Sequence, residues 1–330
     1  MSASVPLPPL RSLFEGDEVA RDAYARLLPL EDQRELVIRI LGQMLIQAPS
    51  TAGRGYVAGM INRCATEQQI VGLGEWYLNL FIKYFKKLRA PLAPSSCTSL
   101  EEIQPDSLVE ALTSHAEAKR QALVRDNYRC VLSGVVDSSA VESLPWLRKE
   151  VIATKANVNV TRCCHIFSGY LGREGNDYLQ RLDNAPNIYT IPYLFGDISE
   201  NQLHGPRVHD LRNTLTLESG VKTCFDRLQI WLEPTGEAEN QYVIARREDY
   251  NCRGLPKVVT FSSASPTLAL PDPQYLALHA AFGPVIKLTD AAGFIARVLQ
   301  EAEDTRVLSE DGSSGELLNH LLSGESPTVL

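Results

Sequence analysis

Arg162-Cys163-Cys164-His165-Ile166 is the stretch that decides how this chain is read. Two thiols and an imidazole stand in consecutive positions of a strand-like run. Neighbouring residues of a strand face opposite sides, so at most one of the two cysteines shares the surroundings of His165. Three further segments belong with it. Upstream lies Arg125-Asp126-Asn127-Tyr128-Arg129-Cys130-Val131-Leu132-Ser133-Gly134. Downstream come Leu211-Arg212-Asn213-Thr214-Leu215-Thr216-Leu217 and then Phe225-Asp226, followed by a strand and Tyr242-Val243-Ile244.

Working outward, residues 1–12 are Pro-rich and read as an arm. A helix is expected over Asp32 to Ile46, with a wide apolar face at Leu36, Ile38, Ile40, Leu41, Met44 and Leu45. Thr66 and Gln69 form a capping-box pair that opens the next helix, which ends in Lys83, Lys86, Lys87 and Arg89. Residues 89–105 read as a linker. A helix is expected from Pro105 to about Asn127. Strands are expected over Val151–Thr161, Asn213–Leu217, Gln229–Leu232, Tyr242–Ala245 and Val258–Phe261. Helical patterns return at 272–282, 289–303 and 314–323. Helices, then a mixed unit, then helices point to an α+β chain in three parts: 1–105, 106–260 and 261–330.

The 330 residues are 44% hydrophobic, ample for a core, and carry a net charge of −8. That balance argues against a basic nucleic-acid glove. The acidity is nevertheless local: residues 261–330 hold 3 basic and 9 acidic side chains, whereas 106–260 hold 18 and 20. No apolar run is long enough to span a bilayer, so no membrane partner is expected. The N-terminus lacks a secretory pattern. Seven cysteines without a CxxC pair suggest reduced thiols and an intracellular protein.

The four segments together resemble the HNH family of ββα-metal nucleases, in particular its fungal branch. That family shows R-D-x-x-x-C-x-x-(S/T)-G, then (A/C)-H-I at a strand end, then N-x-(L/I)-x-L, then a His shortly before Phe-Asp. The likeness spans roughly residues 120–250. It implies a ββα-metal core embedded between N-terminal and C-terminal helical regions, and an HNH-type endonuclease. His165 matches the general base that activates water against phosphorus. Asn213 matches the asparagine that holds the connecting loop and aims that base. A divalent ion, Mg²⁺ or Zn²⁺, would be bound beside the base and by the following helix, where it stabilises the leaving oxygen.

Two positions depart from that pattern. Cys164 stands beside the base and suits Zn²⁺ better than Mg²⁺. Lys222 stands where the helix His belongs. An ammonium has no lone pair to offer a metal, but it would neutralise an anionic substrate in the ion's place. The 48 residues between Cys164 and Asn213 also make a long insertion. His204, His209 and Asp210 lie just before the asparagine. His209 and Asp210 are the candidates, with Cys164, for a replacement metal site, against a solvated Gly-Pro loop. Arg207, Arg212 and Arg227 would bind phosphate or carboxylate.

The expectation is therefore a nuclease-like fold with an altered site, His165 acting as acid or base and Lys222 as electrostatic partner. Cys164 and Lys222 argue against metal-dependent cleavage of nucleic acid. The alternatives are a metal-free enzyme acting on an anionic small molecule, or a non-catalytic binding protein. Asp226 reads as a structural residue near a helix end, Cys163 as a small buried hydrophobe, and His115, His279 and His320 as histidines without chemical company.

Overall fold

A computed structural model describes residues 5–11, 13–88, 114–167, 191–203, 205–247, 254–289, 291, 293–295 and 297. The expected linker at 89–105, the start of the helix expected from Pro105, residues 168–190 of the insertion, His204, most of the 289–303 helix, His320 and the 314–323 helix lie outside these. The described residues are α+β. None of their helices is long and apolar enough to cross a membrane. Cys64, Cys130, Cys163, Cys164 and Cys224 are free thiols. The chain divides into two compact units. Described residues up to 88, together with 191–198 and those from 281 onward, form the first. Residues 114–167 and 199–280 form the second. The expected boundary at 260 thus falls twenty residues early, and residues 191–198 leave the middle part for the first unit.

The first unit is helical: α1 (Glu18–Leu27), α2 (Glu35–Ile46), α3 (Thr51–Arg63) and α4 (Glu67–Leu88). On α2, Ile38, Ile40, Leu41, Met44 and Leu45 are fully buried. Each such side chain contributes about 1.5–3 kcal/mol of hydrophobic stabilisation. The capping box forms as read: the Gln69 N–H donates to Thr66 Oγ1 at 3.3 Å and the Thr66 N–H to Gln69 Oε1 at 3.2 Å. Arg26 on α1 donates to the carbonyls of Ile61 (2.7 Å) and Asn62 (3.0 Å) at the C-terminal end of α3. Gly53 on α3 is needed for packing, because a Cβ there would lie 2.0 Å from the Phe195 carbonyl oxygen. The described part of the Pro-rich arm is packed. Leu7 is buried and its N–H donates to Glu31 at 2.9 Å.

The second unit opens with α5 (His115–Arg125), followed by β1 (Val136–Asp137), α6 (Ser138–Ser143), α7 (Pro145–Thr154) and β2 (Val158–Asn159). The strand expected over Val151–Thr161 is corrected here. Residues 151–154 are the last turn of α7. Pro145 starts that helix at a position suited to its fixed φ, and Lys155 ends it in the left-handed conformation. Next come β3 (Thr161–His165), a four-residue helix α8 (Glu200–Leu203), β4 (Thr214–Glu218) and α9 (Ser219–Asp226). β3 and β4 pair antiparallel, with His165 opposite Thr214 and Thr161 opposite Glu218. β5 (Ile230–Pro234), β6 (Gln241–Arg246) and β7 (Val258–Thr260) form a separate antiparallel sheet. α10 (Pro273–Thr289) follows, and the division between the units falls within it.

Arg125 and Asp126 anchor this arrangement. Arg125 is wholly buried. Its guanidinium forks onto the Asp126 carboxylate at 2.6 and 2.9 Å and donates to the carbonyls of Leu211 (2.8 Å) and Thr214 (2.9 Å). Asp126 in turn accepts the Thr216 N–H at 3.1 Å. The pair therefore clamps β4 and the turn before it. Gly134 closes the tight turn that begins at Cys130, with a φ of +72° that a side chain would strain.

Candidate active site

The site begins where β3 ends. Cys164 and His165 point to opposite faces of the β3–β4 pair, as strand alternation requires. The Cys164 thiol meets α9, where it lies 3.4 Å from Asp226 Oδ1. The His165 ring meets α5, with its centroid 5.2 Å from that of His115. It also meets His209, whose ring lies 5.1 Å away centroid to centroid. His165 Nε2 and His209 Nδ1 are 3.1 Å apart, a hydrogen bond between imidazoles.

Two local devices deliver His209. A single-turn 3₁₀ helix (Gly205–His209) presents it, and Asp210 caps the next turn (Leu211–Asn213) by accepting the Arg212 N–H at 2.8 Å. Asn213 then ties both histidine segments together. It is wholly buried, and its amide donates to the Phe167 and Val208 carbonyls, each at 2.8 Å. Its oxygen accepts the Phe167 N–H at 2.9 Å. Phe167 lies two residues after His165 and Val208 one before His209, so one side chain sets the spacing of both rings.

The electrostatics shift each ring toward its neutral form. Burial pushes His165 down to about 3, and the neighbouring His115, His209 and Lys222 add to the effect. His209 is lowered by burial and then by His115. His115 is lowered by desolvation, although part of it stays exposed. A backbone hydrogen bond opposes that shift, while Lys119 and Lys222 reinforce it. Protonating one imidazole is therefore resisted by every cation and ring around it.

Lys222, on α9, is mostly buried and paired with Asp226 one turn on. Burial works against its charge, but Cys164 and Asp226 outweigh that and its pKa is raised. Burial and the Asp226 carboxylate hold the Cys164 thiol well above its ordinary value, so it serves as a hydrogen-bond donor. Asp226 is thus the anion of this cluster rather than a backbone cap.

The ion that the HNH resemblance implies would be held by the residue before His165 and by the helix residue, here Cys164 and Lys222. The Asp226 carboxylate already bridges those two groups, and a fixed ammonium would repel a second cation. These residues do not fit a divalent ion at that place. Nor does the replacement set assemble. Cys164 faces Asp226, Asp210 caps a turn, and His209 faces His165. Among the described residues no three His, Cys, Asp or Glu side chains are arranged to hold a metal.

The fold brings His209, expected as a metal ligand, to the ring of His165 instead, and Asn213 to the segments that carry both, while Lys222 lies with Cys164 and Asp226. His115 was missed. It carries no motif, and only the packing of α5 on β3 brings it to the site. His279, without chemical company in the sequence, is not isolated in the fold. It is buried and stacked on Phe225, ring centroids 3.8 Å apart at 4°, and its Nε2–H donates to the Phe225 carbonyl at 3.2 Å. Arg207, Arg212 and Arg227 are exposed on the segments that carry the site. No known protein family, curated protein or solved structure matches the chain.

Proposed function

We propose that the second unit holds an HNH-like hydrolytic site for a phosphodiester, with His165 as the general base and without the divalent ion of that family. The observation that carries this reading is the Asn213 latch: His165 ends a strand, and the asparagine before the paired strand holds the backbone two residues beyond it. That is the relationship the resemblance asks of these two residues. A neutral imidazole at the mouth of the loop accepts a proton from water as the water oxygen attacks phosphorus. The positive charge that steadies the phosphate comes from the chain itself, from the exposed Arg207, Arg212 and Arg227.

The near balance of charge over residues 106–260, 18 basic against 20 acidic, favours a small phosphodiester over a long nucleic-acid strand. Bis(p-nitrophenyl) phosphate and plasmid DNA, each with EDTA, Mg²⁺, Mn²⁺ or Zn²⁺, test the reading. The expected result is EDTA-resistant hydrolysis of the small diester that His165→Ala abolishes. Hydrolysis that requires added metal, or that survives His165→Ala, rejects it.

A further inference from the structure

We propose that His209 is a second catalytic group, and that His165 and His209 move a proton as one unit from the attacking water to the leaving oxygen. The inference rests on the hydrolytic reading of the site. It starts from the 3.1 Å contact between His165 Nε2 and His209 Nδ1. An N–H···N bond holds one proton between two nitrogens. When that proton sits on His165 Nε2, the other nitrogen of each neutral ring is fixed in kind. His165 Nδ1 carries a lone pair and His209 Nε2 carries a hydrogen. The pair thus offers an acceptor at one end and a donor at the other, separated by two ring widths and a hydrogen bond.

That separation suits an in-line displacement at phosphorus, in which the entering and leaving oxygens lie on opposite sides. Two histidines acting separately would also have to pass through an imidazolium. Burial, His115 and Lys222 oppose one on His165, and burial and His115 oppose one on His209, with Asp226 already engaged by Lys222 and Cys164. A relay avoids that charge. The water oxygen bonds to phosphorus as its proton passes to His165 Nδ1. The Nε2 proton of His165 passes to His209 Nδ1. The Nε2 proton of His209 passes to the leaving oxygen as its bond to phosphorus breaks. Atoms and charges balance, and both rings end neutral with their hydrogen bond reversed. Exchange with solvent at the two outer nitrogens resets the pair.

Steady-state hydrolysis of bis(p-nitrophenyl) phosphate by the full chain and by His209→Gln and His209→Ala provides the test. His209→Gln keeps a side chain able to hydrogen-bond His165 but unable to relay. Both variants are expected to lose on the order of 100-fold in kcat with KM little changed. The wild-type rate should show no inflection near the ordinary histidine pKa. In mixtures of light and heavy water it should depend on deuterium fraction as a curve, showing several protons in flight, and as a straight line in His209→Gln. Full kcat in His209→Gln, or the same linear dependence in both proteins, overturns the relay. Nitrogen-15 NMR of labelled histidine reads the pair independently of turnover. One hydrogen shared between the rings, with both titrating below the ordinary histidine value, supports it. Two rings that titrate separately near 6.5 overturn it. If no diester is hydrolysed while the shared hydrogen is present, the hydrolytic reading has failed and the paired geometry stands.

Discussion

The side-chain amide of Asn213 donates to the Val208 carbonyl at 2.8 Å, so the residue before His209 is held by the same group that holds Phe167. Removing that amide leaves buried backbone groups at both segments without partners. Asn213→Ala is expected to cost about 3 kcal/mol, the sum of two or three unsatisfied groups at the lower end of their usual penalty. Urea denaturation measures it. Asn213→Asp keeps the shape and the acceptor but loses both donors, so it should also be destabilised. A loss under about 0.5 kcal/mol in both variants, within the range of ordinary surface substitutions, would show that the latch does not hold the loop.

Arg125→Lys removes a forked guanidinium that serves Asp126, Leu211 and Thr214 at once. A lysine reaches fewer of these with a point charge. Leaving buried partners short of donors should cost about 3–5 kcal/mol, which a thermal melt would show as a Tm lowered by several degrees. An unchanged Tm would mean that another group takes over the clamp.

His279 gives the fold an acid limit. Burial pushes it down to about 3, against a weaker opposing effect of its bond to the Phe225 carbonyl. Its Nδ1 is buried with no partner among the described residues. In the unfolded chain the ring returns to about 6.5. Between those values the unfolded state binds a proton that the folded state refuses. Stability is therefore full above about pH 6.5 and falls as the pH drops, by about 1.4 kcal/mol per pH unit for this group. His165 acts in the same direction. His279→Gln should flatten the loss between pH 6.5 and 4.5, as followed by urea midpoints. An equally steep loss in that variant would assign the acid limit elsewhere.

Lys222→His replaces the ammonium with a lone pair beside Cys164 and Asp226. The variant is expected to bind Co²⁺ with the absorption of a thiolate ligand, whereas the unaltered chain shows no such band. No band in Lys222→His would mean that Cys164 and Asp226 cannot turn toward a shared ion.

Much of this was legible before the structure. The segments around Arg125, His165 and Asn213 carry their meaning in short stretches, because strand ends, turns and buried hydrogen-bond donors need particular residue types. The Thr66–Gln69 pair was legible for the same reason: a helix start is a local problem. What could not be read depends on distant packing. His115 opens α5 and resembles any exposed helical histidine until α5 packs on β3. Asp226 looks like a cap until Lys222 and Cys164 both reach it. Val151 and Ile152 favour a strand by type, yet Pro145 had already set a helix going and Lys155 ends it later. Leu7 sits in a Pro-rich arm, and only its burial shows that the arm is packed.

The way the chain divides has a consequence for how the molecule is made. Residues 191–198 belong to the first unit, and so do the described residues from 281 onward. During synthesis the first helices therefore emerge well before the chain that completes their unit. The second unit can gather His115, His165 and His209 while the first still waits for its last part. The order of synthesis is not the order of completion. A fragment cut at the end of the first four helices would begin its unit without the means to finish it, and the place to truncate this protein does not lie between those helices and the histidines.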